Sequence, residues 1–132
     1  MSVQCLSGNG ELGDLFRHVL LVEDDTIIAM DIEALVTELG AERVTIAARV
    51  RDALDALSEI FGSPPSLAVL DVKLEGETSF PIADQLNERQ IPFVFATGYS
   101  HQGDFPERFR SIPCVTKPFT SETLKKVICG LR

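Results

Sequence analysis

At 132 residues, 45% of them apolar and 24% charged, the chain has the length of one domain and enough apolar material for a core, which excludes a disordered segment. Its net charge of −8 argues against a nucleic-acid face, which needs clustered Lys and Arg to displace phosphate counterions. No apolar run approaches the roughly 18 residues that a membrane span requires. The opening stretch MSVQCLSGNGELGDLFR lacks the basic start and apolar centre of a signal peptide. With Gly8, Gly10 and Gly13 in it, residues 1–17 are expected to be a flexible leader, and residues 18–131 the folded unit. Cys5, Cys114 and Cys129 form an odd, scattered set, expected as reduced thiols in a cytoplasm.

Val19–Val22 reads as a strand. Asp25 to Leu39 reads as a helix with Ile28, Ile32, Leu35, Val36 and Leu39 on one face and Gly40 as its stop. Val44–Ala48 is a second strand, and Asp52–Ile60 a second helix. After the loop Ser63-Pro-Pro-Ser66 comes the apolar run Leu67–Leu70. A helix over Pro81–Glu88 precedes a fourth strand, Pro92–Ala96. The stretch between Gly98 and Pro113 carries Gly103 and Pro106 and little helical periodicity, so it is expected to hold at most a turn or two of helix, with weak amide protection over roughly 99–112. A last strand ends near Thr116, and Ser121–Cys129 forms the final helix, capped by Thr120. Strands that are apolar throughout and separated by helices predict an α/β fold, a doubly wound parallel sheet of five strands covered on both faces.

In such sheets ligands bind outside the carboxyl ends of the strands. The first apolar run is followed by Glu23, Asp24 and Asp25, the third by Asp71, the fourth by Thr97 and the fifth by Lys117. The second offers only Arg49 and Arg51, which places it at an edge. Carboxylates brought within a few Å of each other repel, and one would take a proton unless a cation lay between them. Lys117 supplies too little charge alone. An all-oxygen set with no paired His or Cys selects a hard cation, Mg²⁺ foremost. A metal, a hydroxyl and a lysine around a carboxylate suit phosphoryl transfer, with Asp71, alone on a central strand, as the nucleophile.

The order VEDD, VLDVKL, FATGYS, CVTKPF resembles the receiver domain of two-component response regulators. That resemblance implies a flavodoxin-like fold with strand order 2-1-3-4-5. It also implies Glu23 and Asp24 as the acidic pair that holds Mg²⁺, Asp71 as phosphoacceptor and further ligand, and the backbone carbonyl of Lys73 as the third protein ligand. Thr97 matches the switch hydroxyl and Lys117 the invariant lysine, followed in the family by a cis peptide to Pro118. Phe95-Ala-Thr-Gly-Tyr99, preceded by LEGETSFPIADQL, is similar to the FATGUY group of single-domain receivers, whose fourth helix is short or irregular. Two departures stand out. Cys114 lies three residues before Lys117, where many receivers carry Tyr or Phe, and Ser100 stands where the narrower motif ends in Tyr. Tyr99 is the only tyrosine.

Other residues have simpler readings. Asp25 is expected to cap a helix rather than bind metal. His18 and His101 are expected at the surface, Cys114 and Cys129 in the core, and Arg108 and Arg110 in solvent. The expected function is a stand-alone cytoplasmic receiver, monomeric or weakly dimeric. It would accept a phosphoryl group from a sensor histidine kinase or histidine phosphotransfer protein, then contact a downstream protein or act as a phosphate sink. It would touch neither nucleic acid nor membrane, and Arg132 leaves no room for an output domain. The rivals are a small phosphatase of the haloacid dehalogenase class and a degenerate receiver used only for docking. The first wants an Asp two residues after its nucleophile, where this chain has Lys73.

Overall fold

The computed structural model describes residues 15–58, 64–98 and 105–129. Its main sheet has five strands: β1 (His18–Val22), β2 (Arg43–Ala47), β3 (Leu67–Asp71), β4 (Phe93–Thr97) and β5 (Cys114–Thr116). The α-helices of the described residues are α1 (Thr26–Glu38), α2 (Val50–Ser58), α3 (Phe80–Glu88) and α4 (Ser121–Cys129). Every pairing in this sheet is parallel, in the order β2-β1-β3-β4-β5. This is the doubly wound sheet expected from the alternation of apolar runs and helices, in the flavodoxin-like strand order that the receiver resemblance implies.

Because side chains alternate along a strand, the sheet sorts its apolar residues into two cores. Leu20, Val22, Ala68, Leu70, Phe93 and Phe95 pack on one face with Ala53 and Leu57 of α2 and Ile82 and Leu86 of α3. Val19, Leu21, Val69 and Val94 pack on the other with Ile32 and Val36 of α1 and Leu124 and Ile128 of α4. The β1, β3 and β4 side chains are buried along the whole of each strand. β2 is largely uncovered, as its edge position requires.

Local chemistry sets the helix ends. Asp25 caps α1 as expected, its Oδ1 accepting from the N–H groups of Ile27 at 2.9 Å and Ile28 at 3.1 Å. Gly40 ends that segment at φ 114°, a left-handed conformation that only glycine adopts freely. Thr120 Oγ1 accepts from the Thr123 N–H at 3.1 Å at the start of α4.

Several expectations need correcting. His18 is not at the surface: it is 7% exposed, with Nε2 2.8 Å from Thr45 Oγ1. Position 18 heads a strand paired on both sides, so its side chain is enclosed. Packing also begins before it, because Phe16 is fully buried among Val19, Leu67 and Ile128. The rest of the expected leader, residues 1–14, lies outside the described residues, as do Ile60 of the expected second helix, Tyr99, Ser100 and His101. Cys129 is disulfide-bonded rather than a reduced thiol, whereas Cys114 is free. An odd, scattered count says nothing about which thiols meet in space.

The segment between β4 and β5 is irregular as expected, with one 3₁₀ turn, Glu107–Phe109, among its described residues. Its described residues 105–113 carry aromatic anchors. Phe105 and Phe109 are buried against Phe80, Phe93 and Phe95, with Phe80 stacked on Phe109 at 5.5 Å and Phe95 4.9 Å from Phe105. Arg108 is exposed, as expected, and its Nε and Nη2 donate to Asp84 Oδ1 and Oδ2 of α3 at 2.8 and 3.0 Å. Its guanidinium also lies 4.5 Å over the Phe109 ring. Pro106 interrupts any helical period there, so these aromatic anchors leave no periodic trace in the sequence.

Candidate functional site

The parallel register aligns the carboxyl ends of β1, β3, β4 and β5, so Glu23, Asp71, Thr97 and Lys117 all lie on one rim. Asp71 pairs with Ala96, which puts Thr97 one step beyond it on the neighbouring strand. Thr97 is buried, and its carbonyl accepts from the Lys117 N–H at 2.7 Å. Glu23 is held at both ends of the residue. Its N–H donates to Ala47 O at 3.0 Å, and its Oε2 accepts from the Asp25 N–H at 3.1 Å.

The structure brings Glu23, Asp24, Asp71 and Lys117 together. Carboxylate oxygens of the three acids lie within 4.8 Å of one another. Lys117 Nζ donates to Glu23 Oε1 at 3.0 Å and lies 3.3 Å from Asp71 Oδ2. Glu23 and Asp71 are both buried, while Asp24 is exposed. Burial raises the pKa of Glu23 and of Asp71, and the charge of Lys117 offsets this only in part. Burial alone would lower Lys117, but its hydrogen bond to Glu23 and the charge of Asp71 outweigh that and raise it. One ammonium thus serves a cluster of three acids, leaving the site short of positive charge.

This donor set fits a hard divalent cation. It is all oxygen, it mixes buried and exposed carboxylates, and the exposed Asp24 leaves a side open for retained water. The structure leaves Asp25 to its helix cap. It also leaves the Lys73 side chain exposed at the start of a small antiparallel hairpin, Lys73–Leu74 with Glu77–Thr78. That hairpin was missed because each arm is two residues long, although Glu75-Gly76 between the pairing residues is a readable turn signal. Its acids Glu75 and Glu77 line a cleft of about 600 Å³ together with Asp24, Arg49, Arg51 and Asp52. Cys114, at the position where many receivers carry an aromatic ring, is half-buried against the Phe cluster.

Residues 19–129 match the family model described as the response regulator receiver domain. Among curated proteins, the phyllosphere-induced regulator PhyR of Methylorubrum extorquens is 30% identical over 124 residues, covering 92% of this chain and 46% of its own length. The chain spans about half the length of the curated relatives it matches. Among solved structures, SdrG from Sphingomonas melonis Fr1 superposes with a TM-score of 0.76 at 37% identity, covering 89% of this chain and 97% of SdrG. The receiver domain of Erythrobacter litoralis PhyR gives 0.71 at 31% identity, covering 87% and 88%.

Proposed function

The chain belongs to the response regulator receiver domain family of two-component signalling, and from that premise we propose that it is a stand-alone receiver phosphorylated on Asp71. The observation that carries the reading is the grouping of Asp71 with Glu23, Asp24 and Lys117 at one rim. The near-complete coverage of SdrG supports a receiver unit that acts by itself. The irregular link between β4 and β5 supports placement in the FATGUY group.

In this reading Glu23, Asp24, Asp71 and the carbonyl of Lys73 hold Mg²⁺. The ion, when bound, would offset charge on the carboxylates and on the incoming phosphoryl oxygens. An Asp71 carboxylate oxygen attacks the phosphorus of a phosphohistidine presented by a sensor kinase or phosphotransfer protein. The P–N bond breaks, its electron pair stays on the imidazole, and Asp71 carries an acyl phosphate. Lys117, already directed at Asp71, pairs with a phosphoryl oxygen, and Thr97 donates its hydroxyl to another. Those two contacts bias a pre-existing conformational equilibrium, and the shifted surface is read by a downstream protein or the phosphoryl group is drained from another regulator. With such donors, this reading is of a cytoplasmic protein. No helix among the described residues is long and apolar enough to cross a membrane.

Intact mass after incubation with a phosphohistidine donor and Mg²⁺ tests the assignment. One phosphoryl group should add to the wild type and none to Asp71→Asn. Equal labelling of the two would remove Asp71 from its role, and turnover of free phosphomonoesters would favour the phosphatase rival instead.

A further inference from the structure

We propose that Glu77 is a positioning residue of the acidic site: it pins the Lys73–Thr78 hairpin to the start of α2, so that the main chain at Lys73 keeps its place two residues beyond Asp71 for a divalent cation. The inference rests on the reading above that a cation binds there, and it adds a residue that touches neither the ion nor the phosphoryl group.

The chain leaves β3 at Asp71 and enters the hairpin two residues later at Lys73. That hairpin consists of two residue pairs, Lys73 with Thr78 and Leu74 with Glu77, and so short a ladder does not hold itself in place. Two contacts tie its base: Leu74 is 5% exposed in the core, and the Ser79 N–H donates to Val72 O at 3.0 Å. Gly76 turns its tip at φ 77°.

Glu77 reaches away from the hairpin: its Oε2 accepts from the Val50 N–H at 3.4 Å. Val50 is the first residue of α2, so this N–H has no partner within its helix, and a carboxylate is favoured at that positive end. Glu77 and Asp24 line the same cleft. The link therefore spans the space next to the acidic cluster, and freeing it lets the hairpin drift relative to Asp24. At 3.4 Å the bond is long, so its loss should cost less than the ten- to hundredfold typical of groups bonded directly to metal ligands, roughly three- to tenfold in Mg²⁺ affinity.

Mg²⁺ titration of the unphosphorylated full chain, followed by amide chemical shifts, tests this with Glu77→Ala, Glu77→Gln and Asp24→Asn. Glu77→Ala should weaken Mg²⁺ binding by roughly three- to tenfold while leaving the metal-free melting temperature near wild type. Glu77→Gln keeps an acceptor for the Val50 N–H without the charge and should bind close to wild type. Gly76→Ala, which strains the turn by another route, should weaken binding as well. Equal loss in Glu77→Ala and Glu77→Gln would reduce Glu77 to a distant charge and overturn the proposal, as would a wild-type affinity in Glu77→Ala. If Asp24→Asn loses binding in that case, the cation site itself stands. A wild type that ignores Mg²⁺ would overturn both readings.

Discussion

Lys117 Nζ stands 3.0 Å from Glu23 Oε1, two groups that lie 94 positions apart in sequence and that are 14% and 1% exposed in their side chains. The same ammonium lies 3.3 Å from Asp71. A buried carboxylate with one cationic partner is stable only while that partner remains, since desolvation of the charge is otherwise uncompensated.

Lys117→Met should therefore destabilise the metal-free protein by about 3 kcal/mol at neutral pH, the size expected when one member of a buried pair is removed. Denaturant unfolding in the presence of a chelator measures it. A loss below roughly 1 kcal/mol would mean that the contact behaves as an exposed surface pair.

The raised pKa values of Glu23 and Asp71 set the pH dependence. In the folded chain these groups hold protons that the unfolded chain releases near pH ~4. Their contribution to stability is present at low pH and lost as pH rises through their folded values. Lys117 is raised too, so its contribution persists below its unfolded pKa and is lost only above about pH 10.5. Metal-free stability should fall from about pH 4 upward, and the stabilisation by Mg²⁺ should grow over the same window because binding requires ionised carboxylates. Melting curves with chelator and with Mg²⁺ at about pH 5 and pH 8 test this, and an identical Mg²⁺ gain at both would contradict it.

Asp71→Asn removes a buried carboxylate from an acid cluster while leaving Lys117 its bond to Glu23. Without metal the variant should melt higher than wild type, by roughly 3–5 °C for each kcal/mol of relieved repulsion in a domain of this size. Calorimetry in a chelating buffer decides it, and a lower melting point would show that the Lys117–Asp71 attraction outweighs the burial cost.

The sheet was readable because its strands carry long apolar runs, and the acidic rim because chain direction alone sends each strand end to one side. Asp25 was separable from Glu23 and Asp24 by its place before α1. The hairpin and the clamp of residues 105–113 were not readable. Their contacts join residues that are far apart in sequence, such as Glu77 with Val50 and Arg108 with Asp84, and no period links such pairs. Phe105 and Phe109 sit four apart, but Pro106 removes the helix that would give that spacing meaning.

That clamp yields its own prediction. Phe109→Ala should cost about 3–4 kcal/mol, because the ring is fully buried among other phenyl groups. Arg108→Gln should leave global stability almost unchanged and speed amide exchange within residues 105–112 alone. Hydrogen exchange on the two variants checks both. Fast exchange in this stretch of the wild type would show that its aromatic contacts do not persist in solution.

Phe16 gives the fold a stopper at the end of the sheet remote from the acids, where Ser66 Oγ also donates to Leu15 O at 2.7 Å. A fragment trimmed to start at His18 would lose that phenyl ring and leave a hollow beneath Leu67 and Ile128. Such a fragment could keep every charged group of the rim and still behave as a weakened protein, so a shortened version that fails to signal would incriminate the missing ring before it incriminated the chemistry.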